Sequence, residues 1–159
     1  METNSFDMII LGSGPAGLSA AQYAARAALK VLVIENGASS QAFNINKLEN
    51  YPGLHPAVSG PDFMDAMKAQ AASFGATFRM ASITSIDKIG DTFSLKSDSE
   101  TFKASTVLIA TGAEHRKLGI PGENEFEGSV DTNDHWLPAY DWKLLKKTID
   151  VNYSAQREK

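Results

Sequence analysis

Residues 11–20, LGSGPAGLSA, place glycines at Gly12, Gly14 and Gly17. That interval is the one at which a strand turns into a helix around a dinucleotide pyrophosphate. The flanks supply the context the motif needs. FDMIILG (Phe6–Gly12) is a short apolar run with β-branched residues, which predicts a buried parallel strand. AGLSAAQYAARAALK is alanine-rich and predicts a helix, with Pro15 in the first turn, where its missing N–H costs nothing. KVLVIE (Lys30–Glu35) predicts a second buried strand. A bare β–α turn with no ligand would also use glycines, but strand, turn, helix and strand in this order favour a nucleotide.

Each glycine has its own task. Gly12 permits the tight turn, Gly14 lets a pyrophosphate approach the backbone, and Gly17 lets the helix pack closely on the strand. The helix N-terminus then presents free N–H groups and a positive dipole end. Glu35 follows Gly17 by eighteen residues, at the end of the second strand. A carboxylate there accepts both ribose hydroxyls of an adenosine and repels a 2′-phosphate, which favours FAD or NAD over NADP.

The bulk composition sets bounds. The 159 residues suit one domain with a sizeable core, and the net charge of −4 argues against a general nucleic-acid binder. No stretch is apolar enough over sufficient length to span a membrane, and METNSFDMII lacks the basic region of a signal peptide, so a cytoplasmic location is the expectation. The absence of cysteine excludes disulfides, thiolate metal sites and thiol nucleophiles within these residues. His55, His115 and His135 are dispersed, so no metal site is expected. Asp131, Asp134 and His135 read as solvated surface rather than as an acid–base group.

Beyond Glu35 a long polar segment, NGASSQAFNINKLENYPGLHPAVSG, replaces the immediate helix of a simple dehydrogenase, with a turn signal at Tyr51–Gly53. GPDFMDAMKAQAASFGA predicts an amphipathic helix with Phe63, Met64, Met67, Ala71 and Phe74 on its apolar face and Gly75 as its stop. TFRMASITSIDKI, TFSLKS and TFKASTVLIATGA, separated by the turns GD and DSE, predict a three-stranded antiparallel meander. Its last member returns as a buried strand, STVLIATG.

In this order and spacing the pieces GSGPAG, YAARA, KVLVIE, SSQ, ENYPG, FGA, TSID, IATGA and RKLGIPGE resemble the FAD-binding part of low-molecular-weight thioredoxin reductases, within the pyridine nucleotide–disulfide oxidoreductase superfamily. The resemblance covers residues 6–128. It implies an α/β, Rossmann-like FAD-binding fold: a parallel sheet with helices and a three-stranded antiparallel meander. Residues 1–128 would form an FAD-binding domain without the family's C-terminal return segment, and residues 129–159 a divergent tail. It further implies that Gly12, Ser13, Gly14, Pro15, Ala16 and Gly17 surround the FAD pyrophosphate. Glu35 would hold the adenine ribose, and Gln41 and Asn50 would reach the phosphate, ribityl and flavin end. Ile83 would lie by the adenine, and Thr111, Gly112 and Ala113 would line a second FAD loop. Where the family has Gly-Gly-Gln, this chain has Ser39, Ser40 and Gln41, so a change in local backbone conformation is expected there.

The family reaction runs from NADPH through FAD to a Cys-x-x-Cys pair. This chain has one glycine fingerprint and no cysteine, so no NADPH site and no catalytic dithiol are expected in it, and without the family's C-terminal segment weakened or absent FAD binding is expected. A homodimer or a complementing second chain would be its partner. The alternative is a degenerate, non-catalytic nucleotide-binding module. A small NAD-dependent dehydrogenase is disfavoured by the meander and by the absence of a Tyr-x-x-x-Lys motif. Within the tail, DWKLLKKTIDV reads as a short terminal helix, docked or partner-binding. Residues 143–159 hold five of the fifteen basic residues and two of the nineteen acids. This shift, with the abrupt loss of pattern after Gly128, also fits a truncation or a reading-frame change.

Overall fold

A computed structural model of the chain describes residues 5–37 and 40–113, which belong to one compact unit. The tail, including its expected helix, RKLGIPGE, His115, Asp131, Asp134 and His135 lie outside the described residues. So do Ala38 and Ser39.

Strand β1 (Ser5–Leu11), helix α1 (Pro15–Arg26) and strand β2 (Val31–Glu35) form the expected opening unit. β1 and β2 pair in parallel, from Met8 opposite Val31 to Leu11 opposite Ile34. Pro15 occupies the first helical turn, as the sequence requires. The helix stops four residues before the end of its alanine-rich run, at Arg26. The Leu29 amide donates to the Ala24 carbonyl at 3.2 Å and the Ala28 amide to the Ala25 carbonyl at 2.9 Å, closing the helix with Ala28 left-handed at φ 63°. Glycine is the usual residue at this position of such a cap; here an alanine holds it under strain.

The segment after β2 is less loop-like than its composition suggests. Ser40 caps a 3-10 turn (Gln41–Asn44), its Oγ accepting from the Ala42 amide at 3.3 Å. Leu48 and Val58 form an isolated antiparallel bridge, and the Leu54 amide closes the Tyr51 turn at 3.1 Å. Leu18, Ala42, Leu48, Phe63 and Met64 make a separate buried cluster, so the segment is bound to the two helices by its own small core. Tyr51 stacks obliquely on Phe63, with ring centroids 4.8 Å apart.

Helix α2 (Gly60–Ser73) is capped by Ser59, which accepts from the Asp62 amide at 3.2 Å and donates to the Asp62 carboxylate at 2.6 Å. Phe63, Met64 and Ala71 are buried as expected, and Met67 is half-buried. Phe74 departs from the expected face. It sits at the helix C-cap and is 41% exposed, because the chain turns there through Gly75 at φ 101°.

The segment expected as one strand, TFRMASITSIDKI, is two. β3 (Thr77–Met80) pairs in parallel with β2; β4 (Ile83–Ile89) pairs antiparallel with β5 (Thr92–Ser97). The break falls where the Ala81 amide donates to the Glu35 carbonyl at 2.8 Å, the last bond β2 offers. β5 pairs in turn with β6 (Thr101–Ile109), which completes the expected meander and then runs parallel to β1. The sheet order is β3-β2-β1-β6-β5-β4.

Two clusters cover the two faces of the central strands. Ile10, Val31 and Val33 pack on Ala21 and Ala25 of α1 and on Ala71 of α2. Ile9, Leu32 and Ile34 pack on Leu95, Phe102 and Ala104, so the meander curls over the face the helices leave open. Small helical residues permit close approach on one face, and a fully buried Phe102 fills the other.

Gly60 and Ala28 make opposite predictions. A Cβ on Gly60 would collide with the Ala42 carbonyl oxygen and lie 3.0 Å from that of Ile45. Gly60→Ala is expected to destabilise the fold by about 1–3 kcal/mol, as overpacking does. Ala28→Gly is expected to stabilise it by about 0.5–1 kcal/mol, since relief of the left-handed alanine exceeds the entropy cost of a new glycine. Urea unfolding midpoints of the two variants against the parent check both signs.

Candidate functional site

The carboxyl ends of β2, β1 and β6 meet in one row. The Gly12 amide donates to the Ile34 carbonyl at 2.9 Å, and the Ala110 amide donates to the Leu11 carbonyl at 2.8 Å. The chain leaves β1 toward β2 on one side, while β6 lies on the other. This is the arrangement in which open α/β sheets place their ligand crevice.

Two of the expected glycine roles, the tight turn at Gly12 and the close packing at Gly17, are visible in the geometry. Gly12 has φ 107°, and a Cβ there would run into the Ala110 carbonyl and lie 3.2 Å from the Thr111 Cα. Gly17 is buried, and a Cβ would collide with the Gly12 carbonyl oxygen and meet the Ile10 side chain at 3.3 Å. Gly14 differs from both. Its backbone is extended, and within 4 Å its Cβ would meet only the Ser40 Oγ, at 3.5 Å. Among the described residues, no atom would block a Cβ at Gly14.

Gly14 is also the N-cap of α1, and no side chain caps that end; no acid lies in the first turn. The contrast with α2 is direct, since Ser59 and Asp62 close that N-terminus internally. The amides of Gly14, Ala16 and Gly17 at the start of α1 therefore lack an intrahelical partner, and the positive end of the α1 dipole lies there. Pro15 contributes its fixed φ and no donor.

Glu35 stands at the end of β2, next to this row. Its two carboxylate oxygens each accept from the Lys68 ammonium at 2.9 Å. Lys68 comes from α2, and its Nζ also lies 4.9 Å from the centroid of the Phe78 ring. The sequence reading missed Lys68: thirty-three positions separate it from Glu35, and it sits among ordinary helix-surface residues. The pairing amends the argument from Glu35 alone. With the ammonium attached, this corner carries little net charge, so electrostatic rejection of a 2′-phosphate is weaker than an isolated carboxylate would give.

The remaining expected residues fall at the rim. Gln41 Nε2 donates to the Ala113 carbonyl at 3.4 Å, which brings the 3-10 turn and the loop after β6 together. Thr111, Gly112 and Ala113 form that exposed loop, with Gly112 at φ 73°. Ile83 opens β4, half-buried against the cluster that holds Ile34. Asn50 is exposed before the Tyr51 turn, and no described contact ties it to the glycine turn. Ser40, expected to alter the loop, holds an extended backbone at φ −65° and serves as a cap.

A sequence model described as pyridine nucleotide-disulphide oxidoreductase matches residues 6–145. The chain belongs to that family. It is 50% identical over 129 residues to the thioredoxin reductase of Treponema pallidum, covering 80% of this chain and 42% of that protein. Against the thioredoxin reductase of Listeria monocytogenes the figures are 43% over 128 residues, 80% and 40%. The crystal structure of the Streptococcus pyogenes thioredoxin reductase matches with a TM-score of 0.71 at 39% identity, over 79% of this chain and 41% of that one. The crystal structure of the T. acidophilum thioredoxin reductase gives 0.70 at 33%, over 77% and 40%. The chain thus spans about two fifths of the length of the relatives it matches, and its fold is that of their Rossmann-like FAD-binding region.

The two helix-facing glycines predict a separation of effects. Gly17→Ala is expected to cost about 1–3 kcal/mol through its collision with the Gly12 carbonyl. Gly14→Ala is expected to cost less, about 0.5–1 kcal/mol, as the replacement of a favoured N-cap residue without a backbone collision. Thermal melts of the two variants in the same buffer test the contrast.

Proposed function

We propose that this chain is the FAD-binding portion of a thioredoxin-reductase-like flavoprotein oxidoreductase, and that alone it does not reduce disulfides. The observation that carries the reading is the uncapped N-terminus of α1, with open space at the Gly14 Cβ position and Glu35 at the adjoining strand end. The residues fit the cofactor at the adenosine and pyrophosphate end.

The amides of Ser13, Gly14 and Ala16 would hold the pyrophosphate, helped by the α1 dipole. Glu35 would orient the adenine ribose through its hydroxyls, and Ile83 would bound the adenine. Gln41, Asn50 and the Thr111–Ala113 loop would face the ribityl and flavin end. Bound FAD would supply hydride acceptance and release at its flavin ring. The chain's own residues would bind and orient; none of these residues is a thiol, so electron transfer to a disulfide would require a dithiol outside them. A cytoplasmic setting fits this reading.

Titration of the purified chain with FAD is expected to give a saturable change in flavin fluorescence, with weaker affinity than a full-length reductase. Gly14→Val is expected to abolish that change while the fold persists. A wild-type chain that leaves FAD fluorescence untouched overturns the reading in favour of a degenerate, non-catalytic module. Adding NADPH and oxidised thioredoxin to the FAD-mixed chain is expected to produce no thiols; turnover overturns the claim of incompetence.

A further inference from the structure

Lys68 has no part in the glycine motif, yet it makes the closest side-chain approach to Glu35 described. Its ammonium is 2.9 Å from each carboxylate oxygen and 4.9 Å from the Phe78 ring centroid. The Glu35 side chain is 13% exposed and the Lys68 side chain 44%. The carboxylate is therefore the screened member of the pair, and the ammonium reaches it from a wetter helix surface.

A carboxylate offers about four acceptor sites, two on each oxygen. Lys68 takes one from each. One remains on each oxygen, which equals in number the 2′ and 3′ hydroxyls of a ribose. An ammonium bound evenly to both oxygens also limits rotation of the carboxylate, and the Ala81 amide fixes the backbone of the same residue through the Glu35 carbonyl at 2.8 Å. Glu35 is thus anchored at both its backbone and its side chain before any ligand arrives. Preorganised acceptors lose less on binding than free ones.

We propose that Lys68 is the positioning residue of the ribose subsite: it holds the Glu35 carboxylate so that its two unused acceptor sites receive a vicinal diol. The proposal rests on the reading of Glu35 as the ribose acceptor. A purely structural pair would join α2 to the sheet and have no bearing on the diol. Removing the ammonium leaves a largely buried carboxylate unpaired and costs stability in either role, so the diol preference, not the unfolding midpoint, separates the two.

The test compares ADP with 2′-deoxy-ADP, by displacement of bound FAD or by direct calorimetry, on the wild-type chain and on Lys68→Met, Lys68→Arg and Glu35→Gln. The wild type is expected to prefer ADP by about tenfold, the scale of one hydrogen bond to a charged group. Lys68→Met is expected to reduce that preference to about twofold or less, since the carboxylate is then free to turn. Lys68→Arg is expected to retain it, and in a Glu35→Gln background Lys68→Met is expected to have no further effect on the ratio. A structural role would weaken both nucleotides in equal proportion. Urea midpoints on the same samples identify any variant that has lost its fold, and Lys68→Gln, which keeps most of the stem, replaces Lys68→Met if that variant does not fold. Full preference retained without the ammonium overturns the role of Lys68 while leaving Glu35 in place. A wild type that binds ADP and 2′-deoxy-ADP equally overturns the Glu35 reading, and this inference with it.

Discussion

The constraint on which the candidate site depends is the backbone contact between the start of α1 and the end of β1. Gly17 leaves no room for a methyl group against the Gly12 carbonyl, and Gly12 leaves none against Ala110. A helix seated this low on its strand brings its first amides level with the strand ends. Raising it by the thickness of one side chain would lift the dipole away from the crevice and open the Ile10, Ala21 and Ala25 cluster beneath it. The same two glycines therefore fix both the packing of the first layer and the place where an anion is favoured.

The rest of the sheet is arranged around that contact. β6 must lie beside β1 for Ala110 to meet Gly12, and it arrives there as the last strand of an antiparallel meander. The meander fills the second face through Leu95, Phe102 and Ala104. On the far side β3 extends the parallel sheet only as far as Ala81, where the chain leaves to begin β4. Glu35 stands at that departure point, so the same turn that divides β3 from β4 fixes the backbone of the carboxylate.

The strand, turn, helix and strand of the opening unit were legible because each signal is local: apolar run, glycine spacing, proline in the first turn, alanine-rich helix. The meander was legible from its turns. What escaped depends on partners distant in the chain. TFRMASITSIDKI has continuous strand propensity, and only the end of β2 decides where it breaks. The helix end at Arg26 was hidden because Ala28 carries no mark of the left-handed conformation it adopts. Phe74 fits the apolar periodicity but falls beyond the last helical turn. The Ser40 change looked disruptive when compared with a glycine pattern, yet its extended backbone needs no glycine and its hydroxyl caps the next turn. Of the site, the glycines and Glu35 could be read directly; Lys68 could not, since nothing in its neighbours distinguishes it from a solvated lysine.

The two ends of the crevice differ in how completely they are built. At the Glu35 end, a strand terminus, an ion pair and a backbone hydrogen bond restrain one carboxylate. At the Gln41 end, one long amide contact joins two exposed loops, and Asn50 lies apart. Loops held by single polar contacts open at low free-energy cost, whereas strand ends buried on both faces do not. On the proposed reading, affinity from this chain would reside in the adenosine half of a dinucleotide. On the same reading, the flavin half would need further walls to be held against solvent.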